Sequence, residues 1–362
     1  MKRIIWTKQR IYCRSLDRLA SAVFILGFLA IISMFGCQRI QDATKDVYTP
    51  EPDTFKVGML LPGAISDQGW NALAHDGLKA IETELGAEID YVKSLTAADW
   101  EADFRAYAMD GYDLIFGHGY EYQEAAIAVA QDYPEIVFIT SAGASGAIRE
   151  NVSPIVFRLE QATYLLGMIA GLMTQTDKIG MVGGQELPSG NSVFMAFEGG
   201  VKSVNPNAEL QRAYVGDWES IAKARDIATT QIQEGVDFIF HNANEAGLGV
   251  FEAVVMARDA GKTVYAFGAN RDQSAVSPRA VLANAVITPR PYVQLATAVK
   301  AGTFQSELYV FTMTTDGAIA LTYNPELKSQ VPEEVQQKVE EARQQILAGT
   351  LEVPQIDFSA GE

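Results

Sequence analysis

The side chains that could do chemistry are aromatic rings and amides, set in short polar segments beside glycines. Trp70 lies in Ser66-Asp67-Gln68-Gly69-Trp70-Asn71. An indole after a loop glycine offers a large flat face at low entropic cost, and Asn71 beside it can hydrogen-bond the edge of a flat ring. Asp67 and Asn71 can equally cap the helix that follows. In Gly117-His118-Gly119-Tyr120-Glu121-Tyr122 the glycines let backbone approach a ligand, with His118 and Tyr120 as candidate contacts. The same segment also reads as a surface turn that starts a helix. Asp217-Trp218 supplies a second indole, for the other face of a planar ligand or for packing between lobes. Phe197 reads as helix core.

Stacking plus hydrogen bonding is the chemistry of binding, and no catalytic pattern stands beside it. G-x-S-x-G is absent, and no G-x-G-x-x-G follows the first strand. Gly261-Lys262-Thr263 ends like a phosphate-binding loop, but Met256 stands where that motif needs glycine, and a strand follows instead of a helix. His75, His118 and His241 are too dispersed for a metal motif. The chain therefore reads as a non-enzyme with no cofactor and no metal.

Those segments need elements to hold them. From Phe55 onward, short β-rich runs alternate with helical patterns. The runs are KVGMLLP (56–62), AEIDYV (87–92), YDLIFGHG (112–119) and EIVFITSAG (135–143), with helices such as Asn71–Leu85 and Tyr122–Asp132 between them. This alternation predicts βαβ units and parallel sheets. The pattern then recurs: KIGMVGG (178–184), VDFIFHNA (236–243) and TVYAFGAN (263–270) match three of those runs at offsets of 122, 124 and about 127 residues. Two similar α/β lobes are predicted. Ligands of open parallel sheets sit beyond the carboxyl ends of the strands, so facing sheet edges would make a cleft.

The N-terminal segment is different in kind. The 362-residue chain has net charge −17, which argues against a nucleic-acid partner. Residues 1–36 nevertheless carry +5, leaving −22 for the rest. An uncharged run from Leu19 to Gln38 follows the basic start, the pattern of an export signal. It ends in Ser33-Met34-Phe35-Gly36-Cys37, which resembles a bacterial lipobox; Gly36 and Cys37 fit, whereas Met34 and Phe35 depart from it. Cys37 is the expected lipidation site, residues 1–36 the signal and 37–54 a polar tether. An uncleaved anchor of about 20 residues is the alternative, and free secretion a third. Cys13 and Cys37 are the only cysteines, so the folded part has neither disulfide nor thiolate chemistry.

Several segments together, PGAISDQGWNALAHDGLKAI, EQATYLLGMIAGLMTQTDKIGMVGG, YVGDWESIAKARDIATTQIQEGVDFIFHNANEAGLGVFEA and FGANRDQ among them, resemble the basic membrane lipoprotein (PnrA-like) family. These are substrate-binding lipoproteins of ABC importers, purine-nucleoside receptors included. The resemblance runs from about Phe55 to Ala348. It implies a type I periplasmic-binding-protein fold, with two doubly wound lobes joined by three crossovers. Residues 55–158 with about 288–312 would form the N-terminal lobe, and 159–287 with about 313–350 the C-terminal one. Pro289-Arg290-Pro291 would mark a crossover that absorbs lobe closure. The implied partners are a small solute, a permease with its ATPase, and a membrane reached through the lipid, with the domain facing outside the cytoplasm.

The resemblance also adds site residues. Asn242 and Asn244 lie in a loop that borders the family's cleft. Gly268-Ala269-Asn270-Arg271-Asp272-Gln273 resembles G-V-D-S-D-Q, whose first Asp takes both ribose hydroxyls in nucleoside-binding members. Here Asn270 stands there, and an amide offers one acceptor and one donor group where a carboxylate accepts twice. The lysine those members carry after the next strand falls near Ile287. Asp272 is retained, as a ligand contact or a helix cap. The expectation is a solute receptor for a purine base, nucleoside or related heterocycle; the alternative is the same fold sensing a ligand for a membrane signalling protein.

Overall fold

The computed structural model describes residues 54–356 apart from 142, 143 and 316. The first stretch runs β1 (Lys56–Leu61), α1 (Trp70–Leu85), β2 (Glu88–Lys93), α2 (Ala97–Met109), β3 (Leu114–Gly117), α3 (Gln123–Ala130), β4 (Val137–Ser141) and β5 (Val152–Phe157). The second runs α4 (Glu160–Met173), β6 (Lys178–Gly183), α5 (Pro188–Val204), β7 (Glu209–Tyr214), α6 (Ile221–Gln233), β8 (Phe238–Asn242), α7 (Leu248–Asp259), β9 (Tyr265–Asn270) and β10 (Val281–Ile287). The chain then passes through α8 (Arg290–Lys300) and β11 (Tyr309–Phe311) to β12 (Ile319–Tyr323) and α9 (Glu333–Leu347).

Two six-stranded sheets result, in orders β2-β1-β3-β4-β5-β11 and β7-β6-β8-β9-β10-β12. The orders are the same strand for strand, as the repeated sequence pattern predicts. They differ in direction at the last position, where β11 is parallel to β5 and β12 antiparallel to β10. The chain passes between sheets three times, at 158–159, 288–289 and 312–318. This is the doubly wound two-lobe fold.

Central strands are apolar on both faces because helices cover both: KVGMLL and LIFG are buried almost throughout. Edge strand β2 is largely exposed. Within the second lobe, α4 and α5 meet backbone to backbone. A Cβ on Gly167 would lie 2.0 Å from the Phe197 carbonyl oxygen, and one on Gly200 1.9 Å from that of Tyr164. Phe197 is fully buried and stacks on Phe240 at 4.9 Å, a core residue as expected. No helix among the described residues is long and apolar enough to cross a membrane. The signal, tether and Cys37 lie outside the described residues.

Strand order reverses on either side of β1 and of β6, so the loops after β1 and β3 in one lobe, and after β6 and β8 in the other, splay apart and leave room for a ligand.

Candidate functional site

The loop after β1 is built around one carboxylate. Asp67 Oδ1 accepts the N–H groups of Gly69 and Ala72, each at 2.9 Å; Oδ2 accepts the Asn71 N–H at 2.9 Å and its Nδ2–H at 2.8 Å. Asp67 thus satisfies the orphan donors that open α1. The Asn71 Oδ1 is buried and has no partner. Trp70, between them, donates Nε1–H to the His118 carbonyl at 3.1 Å and stacks on the His118 ring at 3.9 Å. Phe157 also packs on this indole, nearly perpendicular to it at 6.1 Å.

His118 itself is fully buried. Its Nε2 lies 2.9 Å from the Trp70 carbonyl, which can only accept, so Nε2 carries the proton. Nδ1 then accepts, and the hydroxyls of Ser141 and Tyr292 each lie 3.1 Å from it. Burial pushes the imidazole down to about 3, so it is neutral. The expectation that His118 lines the cleft is corrected: it backs Trp70 instead.

In the second lobe His241, also buried, holds the equivalent strand end. Gln273 Oε1 accepts the Ala269 N–H, which orients the amide and makes His241 Nε2 a donor to it at 3.0 Å. Burial pushes this imidazole down to about 4. Gln273 Nε2 then donates to the Gln68 carbonyl of the first lobe at 2.9 Å. Arg271 adds two contacts across the same seam, to Asp76 at 2.7 Å and to Gln68 Oε1 at 3.0 Å.

Between the lobes lies a cavity of about 390 Å³, within the usual range for a small-molecule site. The first lobe contributes Pro62, Trp70, Trp100, Tyr120, Glu121 and Phe157; the second contributes Glu160, Gln185, Val193, Trp218, Asn242, Asn244, Asn270 and Ile287. Trp218 rests against Gly184, where a Cβ would fall 2.1 Å from the indole. Asp217 beside it ties the turn before α6, accepting from Lys223 at 2.9 Å and from the Ser220 N–H at 2.6 Å, and these bonds hold its carboxyl well below the usual range. Asn270 has left-handed backbone, φ 68°, and its amide reaches Asn242 Oδ1 at 3.4 Å. Tyr120 stands at the rim, 59% exposed.

Of the ten candidate residues, Trp70, Tyr120, Trp218, Asn242, Asn244 and Asn270 share this cavity. Asp67 and Asn71 face an adjoining one of about 430 Å³, which shares Pro62, Gln185, Trp218 and Asn244 with the first. Asp272 lines neither: it is exposed, and its Oδ1 accepts from the Ser274 N–H at 2.9 Å and Asn284 Nδ2 at 3.0 Å. Its expected ligand contact is corrected to a local turn bond. Trp100 and Glu160 reach the cavity from sequence that looks like ordinary helix, and Glu121 from the glycine-flanked segment in which only His118 and Tyr120 were expected to touch ligand. Trp100 on α2 is the one that residue type alone could have flagged. No group of three or more metal-ligating side chains occurs among the described residues.

Comparison with known proteins agrees with this architecture. A family model described as ABC transporter substrate-binding protein PnrA-like matches residues 54–357. A Listeria monocytogenes protein called CD4+ T-cell-stimulating antigen is 30% identical, over 96% of this chain and 99% of that one. Basic membrane protein A2 of Borrelia garinii is 25% identical, over 83% of this chain and 88% of its own length. Among solved structures, an ABC transporter solute-binding protein from Conexibacter woesei is 25% identical and superposes with TM-score 0.71, covering 83% of this chain and 99% of that one.

Proposed function

The chain belongs to the PnrA-like family of ABC transporter substrate-binding proteins, and from that premise we propose that it captures a small planar solute between its lobes and delivers it to an importer's permease. The observation that carries this reading is the placement of two tryptophans, Trp70 and Trp218, on opposite lobes of one cavity. Each has a backing, His118 for one and Gly184 for the other, so each offers one fixed face. A flat ring between them gains dispersion from both sides, and only when the lobes approach.

The polar rim is made of amides, Asn242, Asn244 and Asn270, suited to a ring edge carrying both donors and acceptors. Asn270 and Ile287 are both on the cavity wall, at the positions where the resemblance puts the ribose-binding carboxylate and the lysine of nucleoside-binding members. Their replacement favours a free purine base or related heterocycle over a ribonucleoside.

The test is the mass of whatever co-purifies with residues 38–362, followed by calorimetric titration of that solute. Trp70→Ala or Trp218→Ala is expected to weaken binding about 10-fold or more. A co-purified ribonucleoside would remove the argument from Asn270, and conversion of bound solute to product would remove the transport reading. Membrane attachment through acylated Cys37 belongs to the same proposal: mass spectrometry of the membrane-extracted protein should find an N-terminal Cys37 carrying acyl chains, and an unacylated chain that retains residues 1–36 would show an uncleaved anchor.

A further inference from the structure

The cavity wall is electrostatically one-sided. Glu121 and Glu160 both lie on it, and no lysine or arginine does among the described residues. Burial holds both carboxyls above the usual carboxylate range. Glu160 is only 2% exposed. It opens α4, directly after the first crossover between lobes. Its Oε1 accepts the Ser192 hydroxyl at 2.6 Å, and Ser192 Oγ accepts the Ile356 N–H at 2.9 Å. The serine has one proton, so it cannot serve Oε2 as well. Glu160 Oε2 is buried without a partner.

A second orphan belongs to a residue that lines the same cavity from the other lobe. Trp100 lines the cavity, and its Nε1–H is buried with no acceptor. Its ring is held edge-on against Tyr122 at 5.6 Å, so the donor direction is set by packing. One residue of the wall on each lobe thus carries a buried polar atom without a partner, an acceptor on Glu160 and a donor on Trp100. Buried polar groups of this kind are paired in working proteins, and a ligand is the partner that a binding cavity supplies.

Resting on the reading of this cleft as a solute site, we propose that Glu160 and Trp100 determine the solute's polarity. The ligand presents an N–H donor, neutral or cationic, to Glu160 Oε2 and an acceptor to Trp100, and it carries no anionic group. Amino- or amidine-bearing heterocycles fit this description. Nucleotides and other planar carboxylates or phosphates do not, because two acidic side chains line the wall, and Arg158, the cation that acts on Glu160, is not among the lining residues. Binding would then satisfy one orphan from each lobe at once, so the polar bonds reward closure as the indoles do.

Three planar isosteres separate charge from shape: benzamidine, benzamide and benzoate, titrated by calorimetry into the full exported chain. Wild type is expected to bind benzamidine most tightly and benzoate at least about 10-fold more weakly. Glu160→Gln keeps the side chain's size. It should cost benzamidine about 10-fold or more and should tighten benzoate, a reversal that loss of structure cannot produce. Trp100→Phe keeps a ring and deletes the N–H. It should weaken benzamide several-fold and spare benzamidine, which has no acceptor. Benzoate binding as tightly as benzamidine in wild type, no benzamidine binding there, or an unchanged order in Glu160→Gln would each overturn the proposal. A co-purified solute bearing a carboxylate or phosphate would overturn it too, while leaving the solute-receptor reading standing; that reading fails instead if neither tryptophan variant, Trp70→Ala nor Trp218→Ala, affects binding of the co-purified solute.

Discussion

At the scale of residues, the two buried histidines do structural work that pH can report. The folded protein holds His118 and His241 neutral, pushed down to about 3 and about 4, whereas an unfolded chain protonates each near its ordinary value of about 6.5. Below that value the unfolded state binds more protons, so stability is retained above it and lost as pH falls toward the folded values. Each histidine should cost about 1.4 kcal/mol per pH unit in that window. Denaturant melts of wild type and His118→Gln between pH 7.5 and 5 should therefore diverge in slope. Parallel slopes would mean that His118 takes up its proton in the folded state. Only the tertiary structure could assign these roles, because His118 was legible as a residue among glycines but its burial under Trp70, Ser141 and Tyr292 joins three distant segments.

At the scale of elements, the strands and helices were legible because parallel strands buried on both faces read as short apolar runs, and the predicted runs at 56–62, 112–119 and 178–184 contain β1, β3 and β6. β5 is harder to read, since VSPIVF carries Pro154. That proline is tolerated because β11 pairs only with Ile155–Phe157, so the missing N–H lies beyond the reach of the last strand. The α4–α5 crossing makes the sharpest mechanical demand. Gly167→Ala would place a methyl 2.0 Å from a backbone oxygen and force the helices apart. A loss of about 2 kcal/mol or more is expected by denaturant melt. Gly146→Ala, which meets nothing within 4 Å, serves as the neutral control. Equal stability of the two variants would show that the helices can slide without cost.

At the scale of the whole molecule, the lobes touch along a seam made by Gln68 and Asp76 on one side and Arg271 and Gln273 on the other. The Arg271–Asp76 pair is more than a third exposed on average, so it contributes little to folding stability and acts chiefly on the balance between open and closed lobes. Arg271→Ala should lower solute affinity about 3- to 10-fold, through faster release, and raise the radius of gyration of the ligand-free protein in solution scattering. Unchanged affinity and dimensions would show that this contact is passive. The sequence alone determined that there are two α/β lobes, since a recurring order of strands and helices survives as a period along the chain. It also marked Trp70, Trp218 and the amide-rich strand ends, whose residue types and neighbouring glycines are local properties. Only the tertiary structure decided which acidic residues matter. Asp272 and Glu160 differ little as letters in a polar stretch, yet one is exposed on a turn and the other is sealed into the cavity wall. Burial depends on what the rest of the chain packs against a residue, and for Glu160 the partner Ser192 lies 32 residues away and is itself bonded by the Ile356 N–H from the far end of the chain.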